Sequence, residues 1–127
     1  MYERMYTAAA LAEQMQNGHT FVLAYAENLP VGFASFSCTN AAEKRWKIHK
    51  LYFLPSQQKK GMGSQLIGEV RRLLVAENVQ ILELNVNRNN SAVGFYIKYG
   101  FRIAQTIDIP YFQFVLNDYV MELDLLP

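Results

Sequence analysis

A glycine-rich junction between a predicted strand and a predicted helix constrains the fold of this chain more than any other stretch. Residues 48–54 are apolar and rich in strand-forming side chains, and Pro55 ends that run. From residue 66 onward, the apolar side chains fall at helical spacing. The segment between them reads Gln58-Lys59-Lys60-Gly61-Met62-Gly63. A strand, a glycine loop and a helix in this order predict a crossover unit of an α/β sheet.

The same junction predicts a site for an anion. Gly61 and Gly63 fall where the first helical turn exposes backbone N–H groups that have no partner within the helix. A ligand can approach a glycine backbone closely because no Cβ stands in the way, and the positive end of the helix dipole favours phosphate. Lys59 and Lys60 add positive charge. The same residues could also form a simple glycine turn into the helix with two solvated lysines. The Gly-Lys-Ser/Thr of a Walker loop and the third glycine of a dinucleotide fingerprint do not follow at the required spacing.

Residues 81–101 form the second informative segment. Leu82, Leu84 and Val86 alternate with polar residues, which predicts a strand buried on one face. An Asn-Asn-Ser run then offers side-chain caps for a helix, and Gly100 can end that helix in a left-handed conformation. Around these two segments the patterning predicts helices at 7–16, 61–77 and 90–99, strands at 20–25, 31–39, 46–54, 81–86, 101–107 and 119–125, and a loop or irregular strand at 108–117, which contains Pro110. Strands followed by crossover helices imply an α/β sheet with a parallel portion.

Both segments resemble motifs of the GCN5-related N-acetyltransferases, the GNAT superfamily. The glycine junction is similar to the family's pyrophosphate-binding motif, with Gln58 at its start. The second segment is similar to the family's other cofactor and catalytic motif, in the form Asn89-x-x-Ala92-Val93-x-Phe95-Tyr96-x-Lys98-x-Gly100-Phe101. The order and spacing of the two motifs also fit, over about residues 46–103. The run at 49–55 is most similar to bacterial polyamine and small-amine acetyltransferases.

The resemblance implies a single acetyltransferase domain over residues 1–127. Its expected architecture is a mixed, mostly antiparallel central sheet with one splayed parallel pair and flanking helices. The family normally begins with a strand and a helix before the helix placed here at 7–16, whereas this chain offers only residues 1–6 there. We therefore expect an N-terminally short version in which that strand and helix are missing. Those elements usually help to wall the acceptor site.

Acetyl-CoA is the cofactor that the resemblance implies. Backbone N–H groups at the start of the helix, with Gln58, would hold the pyrophosphate, and the end of the strand before it would pair with the pantetheine arm. Asn89 is the family's cofactor-contacting asparagine, or simply a helix cap. Gly68 is expected to be a packing glycine. The implied cofactor-binding residues are Tyr52, Phe53, Leu54, Gln58, Lys59, Lys60, Gly61, Met62, Gly63, Ser64, Asn89 and Tyr96.

The implied catalytic residues are Tyr96 and His49. Tyr96 matches the family's tyrosine that protonates the leaving thiolate, and its alternative role is that of a core aromatic side chain. No acid lies between Lys44 and Lys60, so His49 is the candidate general base on that strand, or a hydrogen-bonded structural histidine. Strict alternation would place it on the face opposite Tyr52. Glu83 is a second candidate base or a solvated side chain, and Lys98 is a surface lysine or a contact to the adenosine phosphate.

Composition bears on nucleic-acid binding, membrane insertion, metal binding and disulfide formation. The chain has 127 residues and a formal net charge of +1, which does not suggest a nucleic-acid-binding surface. No apolar run approaches the ~20 residues of a membrane span, and no signal peptide or metal-ligand cluster is visible. Cys38 is the only cysteine, so we expect it to be a buried small apolar side chain in a reducing cytoplasm.

These observations lead to one main prediction of function and two alternatives. The main prediction is an N-acetyltransferase that moves an acetyl group from acetyl-CoA to a primary amine of a small molecule. One alternative is acetylation of a protein N-terminus or lysine, and the other is a catalytically weak acyl-CoA-binding regulatory module. The short N-terminus and the aromatic segment at 111–114 also predict a homodimer that buries part of 108–117.

Overall fold

The computed structural model describes residues 18–57, 61–111 and 114–125. Within these residues six strands form one mixed sheet, in the order β1-β2-β3-β4-β6-β5, and two helices follow β3 and β4. The strands are β1 Thr20–Ala26, β2 Leu29–Asn40, β3 Arg45–Phe53, β4 Ile81–Asn87, β5 Arg102–Tyr111 and β6 Phe114–Asp124, and the helices are α1 Met62–Ala76 and α2 Ala92–Tyr99. The predicted architecture, a mostly antiparallel sheet with one parallel pair, is confirmed.

The parallel pair β3–β4 lies at the centre of the sheet and is short. Its ladder runs from Arg45 opposite Ile81 to Ile48 opposite Leu84, while the other neighbouring strands pair antiparallel over longer stretches. Among the described residues the ladder ends there, and a cavity lies between the C-terminal parts of β3 and β4. The two strands therefore separate in the middle of the sheet, at the point where α1 and α2 begin.

A β-bulge lies where β3 leaves β4. Opposite β2, Lys50 pairs with Ser35 and Ile48 pairs with Phe36, so His49 is an extra residue in β3. A bulge of this kind bends the strand and changes which way its side chains point. The bulge therefore marks the residue at which the parallel ladder stops.

The bulge corrects the predicted orientation of His49. Alternation placed His49 and Tyr52 on opposite faces of the sheet. In the structure, His49 is hydrogen-bonded to Ser37 and the ring of Tyr52 lies beside that of Phe33. Ser37 and Phe33 are four residues apart on β2, so they share one face. That prediction was wrong because the extra residue shifts the alternation, and both side chains lie on the same face.

Both helices pack on the other face, where they enclose the main core. Helix α1 contributes side chains at the helical spacing seen in the sequence, and the strands contribute every second residue. The fully buried members include Ile67, Val70 and Leu74 of α1 and Phe36, Leu82, Leu84 and Met121 of the strands. Helix α2 adds partly buried aromatic rings, which pack against this core beside Phe101. The core thus fixes where both helices begin relative to the end of β3.

The structure also decides between the two alternatives for 108–117. The described residues 108–111 and 114–117 are strand, because Asp108 pairs with Asn117 and Tyr111 with Phe114 in a β5–β6 hairpin. Pro110 did not stop the strand because β5 lies at an edge of the described sheet, where a missing N–H is tolerated. Cys38 is exposed rather than buried.

Some predictions lie outside the described residues. They include the helix at 7–16 and the missing N-terminal strand and helix. Among the residues that are described, no helix is long and apolar enough to cross a membrane. The same residues contain no group of three or more His, Cys, Asp or Glu side chains that could hold a metal ion.

Candidate active site

Two cavities meet where β3 and β4 separate. The first, of about 650 Å³, lies between the end of β3 and the starts of α1 and α2. The second, of about 310 Å³, lies between the separated parts of β3 and β4. Three residues line both cavities, namely Leu51, Asn90 and Tyr96. The two spaces therefore adjoin one another at the side chain of Tyr96.

The start of α1 forms one wall of the first cavity. Its first helical hydrogen bond runs from Gln65 N to Gly61 O at 3.0 Å. The N–H groups of Met62, Gly63 and Ser64 precede this bond, so they have no acceptor within the helix. All three residues line the first cavity. This is the arrangement that the sequence predicted, and it suits an anionic group at the positive end of the helix dipole.

The two glycines of the junction serve different purposes. Gly61 has a left-handed φ of 76°, and a Cβ at this position would meet nothing within 4 Å. Gly63 is buried, and its Cβ would lie 3.1 Å from Phe95 and 3.5 Å from Phe53. Gly61 therefore provides the turn into the helix beside open space. Gly63 allows α1 to pack closely against the ring of Phe95, which occupies the space that a Cβ would need.

The end of β3 separates the two cavities. Leu51 and Phe53 line the first cavity, whereas Tyr52 lines the second. Leu54 lines neither, and its N–H donates to Val31 O at 2.8 Å on the side of β2. Since β3 is paired with β2 on one side and has left β4 on the other, its outer edge faces the cleft. An extended ligand arm can pair with such an edge.

Tyr96 of α2 packs as a core aromatic side chain and also lines the cleft. Its ring packs edge-on against Phe95 and Phe101, at centroid distances of 5.3 and 5.7 Å. The same residue lines both cavities. Burial raises the pKa of Tyr96 above its usual value near 10, so the phenol stays protonated at neutral pH. It can therefore donate a proton into the space where the cavities meet.

His49 lines the second cavity from the bulge in β3. Its Nε2 lies 2.6 Å from Ser37 Oγ, and its ring stacks on that of His19. Although His49 is exposed as a residue, His19 covers one face of its imidazole. This desolvation lowers the pKa of His49, and the positive charges of His19, Lys47 and Lys50 lower it further. The ring is therefore neutral at neutral pH and can accept a proton.

The asparagine that lines the site is not the one singled out in the sequence. Asn89 is exposed and lines neither cavity, whereas Asn90 lines both. Asn90 Oδ1 also accepts a hydrogen bond from Ala92 N at 2.8 Å, which caps the first turn of α2. The sequence signal was the Asn-Asn-Ser run, but the run alone does not say which amide turns toward the cleft.

The remaining candidates lie away from the cavities or outside the described residues. Glu83 accepts a hydrogen bond from Thr39 Oγ1 at 3.2 Å and lies 3.6 Å from Arg45, in the closed part of the β3–β4 pair. Lys98 is exposed in the last turn of α2. A Cβ on Gly68 would be 3.9 Å from the Tyr99 hydroxyl, which is an ordinary contact. Gln58, Lys59 and Lys60 are outside the described residues.

Comparison with known proteins identifies the family. Residues 1–107 match the family model of the acetyltransferase (GNAT) domain. No curated protein matches the chain.

Solved structures share the fold. PaiA N-acetyltransferase from Thermoplasma acidophilum, in complex with coenzyme A, superposes with a TM-score of 0.76 at 23% identity, over 96% of this chain and 74% of that one. Ard1 from Thermoplasma volcanium gives a TM-score of 0.81 at 24% identity, over 96% of this chain and 82% of that one. An aminoglycoside 6′-N-acetyltransferase complexed with coenzyme A gives 0.78 at 16% identity, over 99% and 85%. At these identities the similarity shows the fold.

The site geometry fits the cofactor of that family. Coenzyme A carries a pyrophosphate and an extended pantetheine arm. The N–H groups of Met62, Gly63 and Ser64 suit the first, and the outer edge of β3 suits the second. The chain belongs to the GNAT acetyltransferase family and is an acetyl-CoA-dependent N-acetyltransferase.

Proposed function

We propose that this chain transfers the acetyl group of acetyl-CoA directly to the primary amine of a small molecule. The observation that carries the proposal is the meeting of two cavities at Tyr96. One cavity leads from the start of α1, where the pyrophosphate would be held, and the other opens between β3 and β4. Two substrates can therefore reach the same point from two sides, and no covalent intermediate on the protein is needed.

In this proposal the cofactor-binding residues act mainly through backbone groups. Met62, Gly63 and Ser64 donate N–H groups to the pyrophosphate, assisted by Gln58, Lys59 and Lys60 of the preceding segment. The open edge of β3, at residues 52–54, orients the pantetheine arm toward Tyr96. Asn90 contributes from the start of α2, where it lines both cavities. When bound, the cofactor supplies an acetyl thioester as the electrophile.

Two side chains handle the protons. His49 is neutral at neutral pH and accepts a proton from the acceptor amine, which must lose its charge before it can attack. Tyr96 remains protonated and donates its hydroxyl proton to the leaving sulfur. Burial favours the neutral form of both side chains, so the imidazole can accept a proton and the phenol can donate one.

The second cavity favours a small acceptor. Its volume of about 310 Å³ is at the lower end of the range for small-molecule sites. The similarity of residues 49–55 to polyamine and small-amine acetyltransferases supports the same class. A protein N-terminus, a protein lysine or no efficient acceptor at all remain the competing outcomes of the test.

Turnover with a panel of acceptors tests this proposal. Release of the coenzyme A thiol would be measured with small primary amines, polyamines, peptide N-termini and lysine-containing peptides. We expect the highest kcat/KM with a small primary amine. A preference for peptides would replace this proposal by protein acetylation, and coenzyme A binding without turnover on any acceptor would favour the binding module.

We also propose that the chain forms a homodimer through the β5–β6 hairpin. The hairpin includes edge strand β5 of the described sheet, and Tyr111 pairs with Phe114 at the end of the β5–β6 ladder. Light scattering over a concentration series should show a two-chain mass. A monomer at high micromolar concentration would overturn this part of the proposal.

A further inference from the structure

Three polar side chains form a connected group beside the second cavity. Ser37 of β2 lies 2.6 Å from Nε2 of His49, and His19 stacks on the His49 ring with a centroid distance of 4.3 Å and an interplanar angle of 17°. They come from three separate stretches of the chain, and only His49 lines the cavity. Ser37 and His19 therefore contact the candidate base, His49, without lining the cavity themselves.

The bulge in β3 brings the group together. His49 is the extra residue between Ile48 and Lys50, so it has no direct partner on β2. Its side chain reaches the face on which Ser37 lies, instead of following the regular alternation. The contacts from Ser37 and His19 then restrict the ring in two ways, because one binds a ring nitrogen and the other covers a ring face.

We propose that Ser37 and His19 are positioning residues, which hold His49 as a fixed, neutral imidazole at the acceptor end of the cleft. The inference rests on the proposed function, in which His49 takes the proton of the acceptor amine. Ser37 Oγ accepts a hydrogen bond from Nε2–H and thereby leaves the lone pair on Nδ1. The amine proton passes to Nδ1, and the imidazolium then releases it to solvent, so the step needs no other reactant.

The charges around His49 also favour its neutral form. The charged groups that face its ring from the described elements are His19, before β1, and Lys47 and Lys50, on β3. Ser37 is neutral, and the polar residues of β4 that line the cavity, Asn85 and Asn87, are neutral as well. Glu83 lies opposite Lys47 but is engaged by Arg45 and Thr39. A positive charge on His49 is therefore disfavoured from several sides.

Imidazole NMR tests the positioning without any need for turnover. The chain has two histidines, so the spectrum of His19→Ala contains only the imidazole signals of His49. This spectrum assigns the His49 signals in the other samples. We expect long-range ¹H–¹⁵N spectra to show the Nε2–H tautomer of His49 in the wild type and in Ser37→Thr. Ser37→Ala should give a mixture of tautomers. A His49 spectrum that is the same in Ser37→Ala and in the wild type would overturn the role of Ser37.

A pH titration of the same samples tests His19. His19→Ala should raise the pKa of His49 toward its ordinary value near 6.5, because it removes both the covering ring and a positive charge. His19→Phe keeps a stacked ring without the charge, and it serves if the alanine variant does not fold. An unchanged titration midpoint of His49 in every folded His19 variant would overturn the role of His19.

Kinetics separate this inference from the proposed function. We expect Ser37→Ala to lower kcat about tenfold, with an unchanged Kd for coenzyme A, and Ser37→Thr to restore it. If the NMR results hold but His49→Gln keeps full turnover, the positioning group stands and His49 loses its role as the base. If the NMR results fail while His49→Gln loses turnover, the base stands and the positioning group falls.

Discussion

The two ends of the β3–β4 pair contain similar polar side chains but use them differently. At the closed end, where the ladder is intact, Arg45 lies 2.6 Å from Glu122 and 3.6 Å from Glu83. At the open end, beyond the bulge at His49, the strands separate and Tyr96 reaches both cavities. Charged side chains at the closed end are paired with one another, whereas polar side chains at the open end line the two cavities.

Position in the β3–β4 ladder decides what a polar side chain of this pair contacts. Glu83 is chemically suited to be a general base, but it pairs with Arg45 in the closed part and lines neither cavity. Its ion pair connects neighbouring strands and supports the sheet. His49 lies one residue beyond the last paired position of β3, and it faces the cavity. The two residues therefore lie on opposite sides of the last paired position, one in an ion pair and the other beside a cavity.

The largest effect is expected at the open end, from Tyr96→Phe. This change keeps the ring and its packing but removes the proton donor. Turnover should fall by about 10²–10⁴-fold, while the affinity for coenzyme A changes little. Tyr99→Phe is the matched control, because Tyr99 is on the same helix but lines neither cavity. Equal activity of the two variants in steady-state assays, with chemistry limiting the rate, would place Tyr96 in the core alone.

The next effect concerns the anion site at the start of α1. Gly61→Asp and Gly61→Asn both place a side chain in open space, and both residues tolerate a left-handed backbone. They differ only in charge. We expect the Kd of coenzyme A to be about 10–100-fold weaker for the aspartate variant than for the asparagine variant, because a carboxylate would face the pyrophosphate. Calorimetry at low and high salt would measure it. Equal Kd values would place the pyrophosphate elsewhere.

At the closed end, Arg45→Ala should affect stability rather than activity. The side chains of Arg45 and Glu122 are 21% and 14% exposed, so removal of the arginine leaves Glu83 and Glu122 partly buried without it. The expected loss is about 1–2 kcal/mol of unfolding free energy, measured in urea. Arg72→Ala, which breaks an exposed pair with Glu69, should cost less. A large loss of turnover in folded Arg45→Ala would contradict the division between the two ends.

The smallest effect is a pH dependence of stability due to His49. Its pKa is lowered in the folded state, so the unfolded state binds the proton more readily as the pH falls below about 6.5. Unfolding free energy should therefore decrease from pH 7.5 to 5.5 more in the wild type than in His49→Gln. Groups common to both proteins cancel in the comparison. Parallel curves would show that His49 titrates alike in the folded and unfolded states.

Regular periodicity made most of the fold predictable. The apolar positions of α1 and β4 repeat every 3.6 and every 2 residues, and the structure buries those same side chains. The β5–β6 hairpin was predicted only as a loop or an irregular strand at 108–117, because Pro110 suggested a break. A proline is tolerated at an edge strand, and the sequence does not show which strand is at the edge.

The site was predictable in outline but not in its details. The glycine junction predicted the helix start that lines the first cavity, since helix starts and glycines are local features. The bulge at His49 was not predictable, because it is defined by pairing with Ser35 and Phe36, more than ten residues away. The same holds for His19 and Ser37, which only the folded sheet brings to His49. Asn90 was missed because neighbouring asparagines are equivalent in sequence.

Hydrogen exchange with and without acetyl-CoA tests the division between the two ends most directly. We expect the cofactor to slow the exchange of backbone amides at residues 51–54 and 61–64, which form the open edge of β3 and the start of α1. Amides at 45–48 and 81–84, in the closed ladder, should exchange at the same rate in both samples. Slowed exchange at the closed end, with no change at 51–54 or 61–64 despite calorimetric binding, would contradict it.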